Sequence, residues 1–221
     1  LSSCFLLIIN VFSISVFSYF CKLDENYALF VHFMQNKITI IIYKMEDLPH
    51  SMNIIQIEDK KFKLYIPEKE ILKSIQEIAE KINDDLVDKN PLFICILNGA
   101  FMFASDLMKA ISIPCEITFI KLSSYHGTTT SGKIKEIIGL NEDITKRNVV
   151  VIEDIIDTGF TMEFIINSLK SKGANEIQIA ALLLKPDALQ RDLKIDYVGI
   201  KIPNDFIIGY GLDYNGYGRN L

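Results

Sequence analysis

Apolar positions along this chain recur with two periods, and they alternate. Pro67 opens a stretch in which Ile71, Ile75, Ile78, Ile82 and Leu86 share one face opposite Glu and Lys, which predicts a core-packing amphipathic helix. Leu92–Leu97 is a continuous apolar run, broken by Asn98-Gly99-Ala100, and 101–110 reads as helix. Residues 115–122 alternate like a strand. Val149-Val150-Val151-Ile152 is a second buried run, followed by Met162, Ile165, Ile166 and Leu169 at helical spacing. Lys172-Gly173 signals the end of that helix, 176–184 is another buried strand, and 196–202 a further one. Before Pro67, residues 53–66 alternate around a turn at Glu58-Asp59-Lys60 and read as a short hairpin or an irregular entry segment. Strands alternating with helices predict an α/β domain with a mostly parallel central sheet.

The stretch between the strand at 149–152 and the following helix carries the chemistry. It reads Glu153-Asp154-Ile155-Ile156-Asp157-Thr158-Gly159-Phe160-Thr161. Open α/β sheets bind ligands at this kind of junction. Unpaired amides at a helix N-terminus hold a phosphate, Gly159 permits close approach, and the Thr158 and Thr161 hydroxyls add donors. Carboxylates cannot bind phosphate. Glu153 and Asp154 suit sugar hydroxyls, or magnesium through water. Asp157 lies between the two and is placed to take a proton. Asn98-Gly99, between a strand and a helix, is a second nest of phosphate size. The polar, glycine-bearing stretch 123–132 reads as a lid or linker rather than as packed structure.

Charge and cysteine use narrow the classes. The net charge is −5; residues 1–44 hold three Lys against Asp24 and Glu25, which is +1, so the remainder carries −6. That disfavours nucleic acid as the main partner. Cys4, Cys21, Cys95 and Cys115 form no CxxC pair, and His32, His50 and His126 have no ligand spacing. We read a reducing cytoplasm and no zinc or iron site, with Cys95 an inert core residue. Residues 1–21 are uncharged and mostly apolar, long enough for a bilayer but without a basic n-region. The chain begins with Leu, and this stretch has the residue bias of translated AT-rich DNA. Ile38–Tyr43 is a second apolar run with no partner pattern around it. The expectation is that 1–44 is a leader outside the native domain, with the natural start at Met45 or Met52 and the domain at 45–221; a membrane anchor and a mis-sequenced or artificial leader are the alternatives.

The run from Val151 to Met162 resembles the phosphoribosyl-pyrophosphate motif of the type I phosphoribosyltransferases, in the form found in their hypoxanthine (guanine) branch. The resemblance covers residues 52–221 and implies that family's fold, with a small hood built from the segment before Pro67 and the region after Lys185. It implies transfer of a phosphoribosyl group from phosphoribosyl pyrophosphate to a purine base, with Mg2+ as cofactor and a homodimer or homotetramer as the assembly. Within it, Glu153, Asp154, Thr158, Gly159 and Thr161 bind the phosphoribosyl group and its 5′-phosphate, and Asp157 is the catalytic base. Asn98, Gly99 and Arg219 bind pyrophosphate, with a Leu97–Asn98 peptide that is cis when ligand is bound. Many relatives have Lys at position 98, so only backbone contacts carry over there. Ser124 and Tyr125 match the mobile loop, Lys185, Phe206 and Ile207 the purine site, and Asp213 the magnesium ligand, with Glu153 and Asp154 indirect. A Lys donates only, so Lys185 favours an oxo-purine over adenine. Relatives run about ten residues further than Leu221, which implies a shortened C-terminal tail. Two other readings stay open: a xanthine- or guanine-preferring transferase, and a nucleotide-sensing regulator that binds RNA or DNA on the same fold.

Overall fold

A computed structural model of the chain describes residues 4–11, 14–22, 27–34, 37–44, 54–124 and 134–221. It divides into two units, Leu1–Leu64 and Tyr65–Leu221.

In the first unit, β1 (Cys4–Val11), β2 (Ile14–Lys22), β3 (Tyr27–Met34) and β4 (Lys37–Lys44) form an antiparallel sheet in sequence order. The run Ile38–Tyr43, read above as lacking a partner, pairs residue for residue with β3, Ile40 opposite Val31 and Ile42 opposite Leu29. No helix among the described residues is long and apolar enough to cross a membrane. β5 (Ile54–Ile57) and β6 (Lys60–Lys63) make the expected hairpin, with Glu58 at φ 50° in its turn.

The second unit is built on a six-stranded sheet. Its strands are β7 (Leu92–Leu97), β8 (Glu116–Ser124), β9 (Ile134–Ile138), β10 (Asn148–Ile156), β11 (Glu176–Leu184) and β12 (Tyr197–Lys201). The order is β12-β11-β10-β7-β8-β9, parallel throughout except for β9, an antiparallel edge. The helices α1 (Glu68–Asp85), α2 (Phe101–Ala110) and α3 (Phe160–Ser171) cover it.

Alternation sorts the side chains onto two faces. Phe93, Cys95, Val150, Ile152, Ala180 and Leu182 pack with Ile75, Ile78 and Ile82 of α1 and Phe103 and Leu107 of α2. Leu92, Ile94, Val149, Val151, Ile179 and Ala181 pack with Met162, Ile165 and Leu169 of α3. Both faces are therefore covered, which is why these strands read as unbroken apolar runs.

This order fixes the site. The chain leaves β7 towards β8 and leaves β10 towards β11, so the adjacent strands β7 and β10 send their connections in opposite directions. A crevice opens at their carboxyl ends. One correction concerns β10, which continues through Ile156. Glu153 and Asp154 therefore belong to the strand, still paired to β11 through Glu153 opposite Ala181, rather than to the turn after it.

Candidate active site

The crevice is lined first by the acids of β10. Asp154 is buried, and its Oδ1 accepts the Ile155 N–H at 2.8 Å. Its side chain also hydrogen-bonds Glu153. Glu153 Oε2 is buried and has no hydrogen-bond partner. Burial, then the adjacent Asp154 charge, holds the Glu153 carboxyl well above the usual carboxylate range. Burial also raises Asp154, opposed by its hydrogen bonds and by the Arg219 charge. Beneath the pair, burial and the two acids push the Cys95 thiol up to about 12, so it stays protonated and inert, as expected.

The loop after β7 lies directly against Asp154. The Leu97–Asn98 peptide is cis. A Cβ on Gly99 would stand 1.5 Å from Asp154 Oδ2, so no larger residue fits. A third segment closes on the same point. Gly211, at φ +102°, approaches until a Cβ on it would be 2.0 Å from the Gly99 carbonyl oxygen. The Gly211 N–H donates to the Arg219 carbonyl at 2.9 Å and the Tyr210 N–H to the Leu221 carbonyl at 2.8 Å, which ties the end of the chain to this segment. The Arg219 guanidinium donates to the Gly211 carbonyl and pairs with Asp213 Oδ1, each at 2.6 Å. The Gly211 contact was not anticipated from sequence; the glycines at 209 and 211 are its only local sign.

The turn from Asp157 to Thr161 follows. Gly159 caps α3 in the left-handed region, φ 86°, and its carbonyl accepts the Glu163 N–H at 2.9 Å. The amides of Phe160, Thr161 and Met162 precede the first intrahelical donor and are available to an anion. The space beside Gly159 is not an approach path for ligand, as read above. A Cβ there would stand 2.9 Å from Leu189 Cδ1 and from Leu193 Cδ1. The glycine serves the turn's conformation and its packing.

Asp157 is exposed, and its Oδ2 accepts from Lys185 Nζ at 2.9 Å. Lys185 is 9% exposed, at the end of β11, and its backbone N–H donates to the Ile156 carbonyl at 3.0 Å. Phe206 is 59% exposed and meets the edge of the Tyr214 ring, centroids 5.8 Å apart. Ile207 packs partly against the core. Ser124 and Tyr125 fall at and beyond the end of β8, and their side chains lie outside the described residues.

Whether magnesium suits this set can be judged from the donors. Asp213 Oδ2 accepts the Gly216 N–H at 2.6 Å while Oδ1 holds Arg219. No group of three or more His, Cys, Asp or Glu gathers to hold a metal among the described residues. Magnesium, however, is usually bound through one or two carboxylates plus substrate oxygens. Carboxylate oxygens alone, with Glu153 Oε2 unpartnered, fit that hard cation.

The comparisons agree with the geometry. The phosphoribosyl transferase domain model matches residues 66–215. A hypoxanthine-guanine phosphoribosyltransferase of Streptococcus mutans is 42% identical over 160 residues, 72% of this chain and 89% of that one. The crystal structure of a hypoxanthine-guanine phosphoribosyltransferase from Bacillus anthracis superposes with TM-score 0.69 at 37% identity, covering 72% of this chain and 95% of that one. A hypoxanthine phosphoribosyltransferase from Trypanosoma cruzi, in complex with the product IMP, gives TM-score 0.67 at 33% identity, covering 72% and 89%. A crevice of acids, glycine loop and helix amides, and relatives of this identity and coverage, lead to one conclusion: the chain belongs to the phosphoribosyltransferase family, in its hypoxanthine-guanine branch.

Proposed function

We propose that the chain transfers the phosphoribosyl group of phosphoribosyl pyrophosphate to hypoxanthine or guanine, giving the nucleoside monophosphate and pyrophosphate. The observation that carries this is the meeting of three phosphate-sized or hydroxyl-binding elements at one crevice, with Lys185 beside Asp157. The amides of the 158–161 turn take the 5′-phosphate and so align the ribose over Glu153 and Asp154. The Asn98–Gly99 backbone and Arg219 take the pyrophosphate. Lys185 donates to the purine oxygen, Phe206 stacks on the ring, and the backbone near Ile207 meets its pyrimidine edge.

Departure of pyrophosphate leaves cationic character on the ribose, as in glycoside chemistry. Asp157 accepts the proton of the imidazole ring as the new bond forms. Arg219 stabilises the leaving group, for which it gives up Asp213. Asp213 would hold magnesium, with Glu153 and Asp154 reaching it through water, and the ion would supply charge neutralisation at the pyrophosphate. The free thiols Cys95 and Cys115 suit the cytoplasm. A homodimer or homotetramer belongs to the same proposal, supported by Ile117, Phe119 and Ile138 exposed on β8 and β9; light scattering tests it.

The reaction itself is tested by pyrophosphate release with magnesium, phosphoribosyl pyrophosphate and hypoxanthine. Release that needs both substrates supports the proposal, and its absence from a folded chain removes it.

A further inference from the structure

The first turn of α3 is not capped by a side chain. Gly159 has none to offer. What lies against this turn is the segment after β11. It runs from Lys185 through a 3-10 turn, Pro186–Ala188, and returns under the turn, where the Gln190 N–H donates to the Thr158 carbonyl at 3.0 Å. Leu189 and Leu193 fill the space beside Gly159. Arg191 then reaches across the start of the helix. Its guanidinium carbon sits 4.0 Å from the centroid of the Phe160 ring, and its Nε is 3.2 Å from Glu163 Oε2.

Glu163 is the one acid in that first turn. A carboxylate stabilises a helix N-terminus, but here the same amides are to receive a phosphate, and the two anions compete. Arg191 supplies the compensating charge. Its Nε lies close to Glu163 without hydrogen-bond alignment, so the contact is one of charge. The two side chains are partly exposed, at 36% and 44%, although the Arg191 Nε atom itself is buried, and a partly exposed pair contributes little to stability. The arrangement is thus poorly explained as a support for the fold.

We infer that Arg191 is a positioning residue that sets the affinity of the 158–161 turn for the 5′-phosphate by neutralising Glu163. This rests on the phosphate assignment made above. The test is calorimetric binding of inosine 5′-monophosphate, with the KM for phosphoribosyl pyrophosphate alongside. Arg191→Met weakens nucleotide binding and raises that KM about fivefold, a first-turn charge effect, with the KM for hypoxanthine and the melting temperature nearly unchanged. Arg191→Lys keeps most of the wild-type affinity. Adding Glu163→Gln to Arg191→Met restores binding, and Glu163→Gln alone binds at least as tightly as wild type.

Two results overturn the inference while leaving the transferase reading intact: Arg191→Met binding as tightly as wild type, or the double variant binding as weakly as Arg191→Met. A lowered melting temperature with every kinetic parameter moved together would show a structural residue instead. Should Arg191→Met fail to fold, Glu163→Gln alone still decides, since weaker binding by that variant contradicts charge compensation. A wild-type chain that binds neither nucleotide nor phosphoribosyl pyrophosphate overturns both the inference and the function it rests on.

Discussion

Replacing Gly99 by Ala tests how closely the crevice is assembled. The added Cβ would lie 1.5 Å from Asp154 Oδ2 and 2.5 Å from its Cγ. Carbon contacts settle near 3.5 Å, so about 2 Å must be found. Asp154 is only 9% exposed and bound to the Ile155 N–H at 2.8 Å, so moving it strands a buried carboxylate and an amide. Overpacking costs about 1–3 kcal/mol and an unsatisfied buried group about as much again, giving a loss of about 2–6 kcal/mol. If the loop moves instead, a shift of about 1 Å in a positioning element costs about 100-fold in rate. Urea denaturation and kcat/KM for phosphoribosyl pyrophosphate read the two routes separately. Gly216→Ala is the control: its φ is +89°, nothing lies within 4 Å of the added Cβ, and only the left-handed backbone cost of about 1–2 kcal/mol applies, with activity kept. A Gly99→Ala variant within about 1 kcal/mol and a few-fold of wild type would refute the reasoning.

Other consequences are equally direct. Asp157→Asn lowers kcat by about 100- to 10,000-fold with little change in melting temperature, since Asp157 is exposed; wild-type turnover would remove its role as base. Lys185→Gln raises the KM for hypoxanthine by about tenfold or more, through loss of a charged donor. Glu153 carries a raised value, so its contribution to stability is complete below its ordinary 4.5 and is lost as pH rises through the folded value; the melting temperature of Glu153→Gln should fall less with rising pH than that of wild type. Chelation should abolish turnover and added magnesium restore it, measured as pyrophosphate release.

The elements most legible in the sequence were those governed by local period. The helices at 68–85 and 101–110 and the strand at 176–184 follow directly from apolar spacing. The 157–161 turn between β10 and α3 was legible because its residues are contiguous. What could not be read is long-range. Gly211 meets Gly99 across more than a hundred positions, and Arg191 reaches Phe160 and Glu163 only because the segment after β11 folds back. The edge strand β9 was missed because five residues beside a polar loop carry little periodic signal. The end of β10 was set too early because Glu153 and Asp154 read as loop. Their burial in a strand is a tertiary choice, compensated, in the proposal, by ligand.

The central claim is phosphoribosyl transfer to an oxo-purine, and nucleotide formation from phosphoribosyl pyrophosphate with hypoxanthine, guanine, xanthine and adenine in parallel tests it most directly. The account predicts turnover with hypoxanthine, and with guanine or xanthine as the backbone near Ile207 allows, but none with adenine, because Lys185 can only donate. Turnover with adenine, or with no base at all from a folded, magnesium-loaded chain, would contradict it.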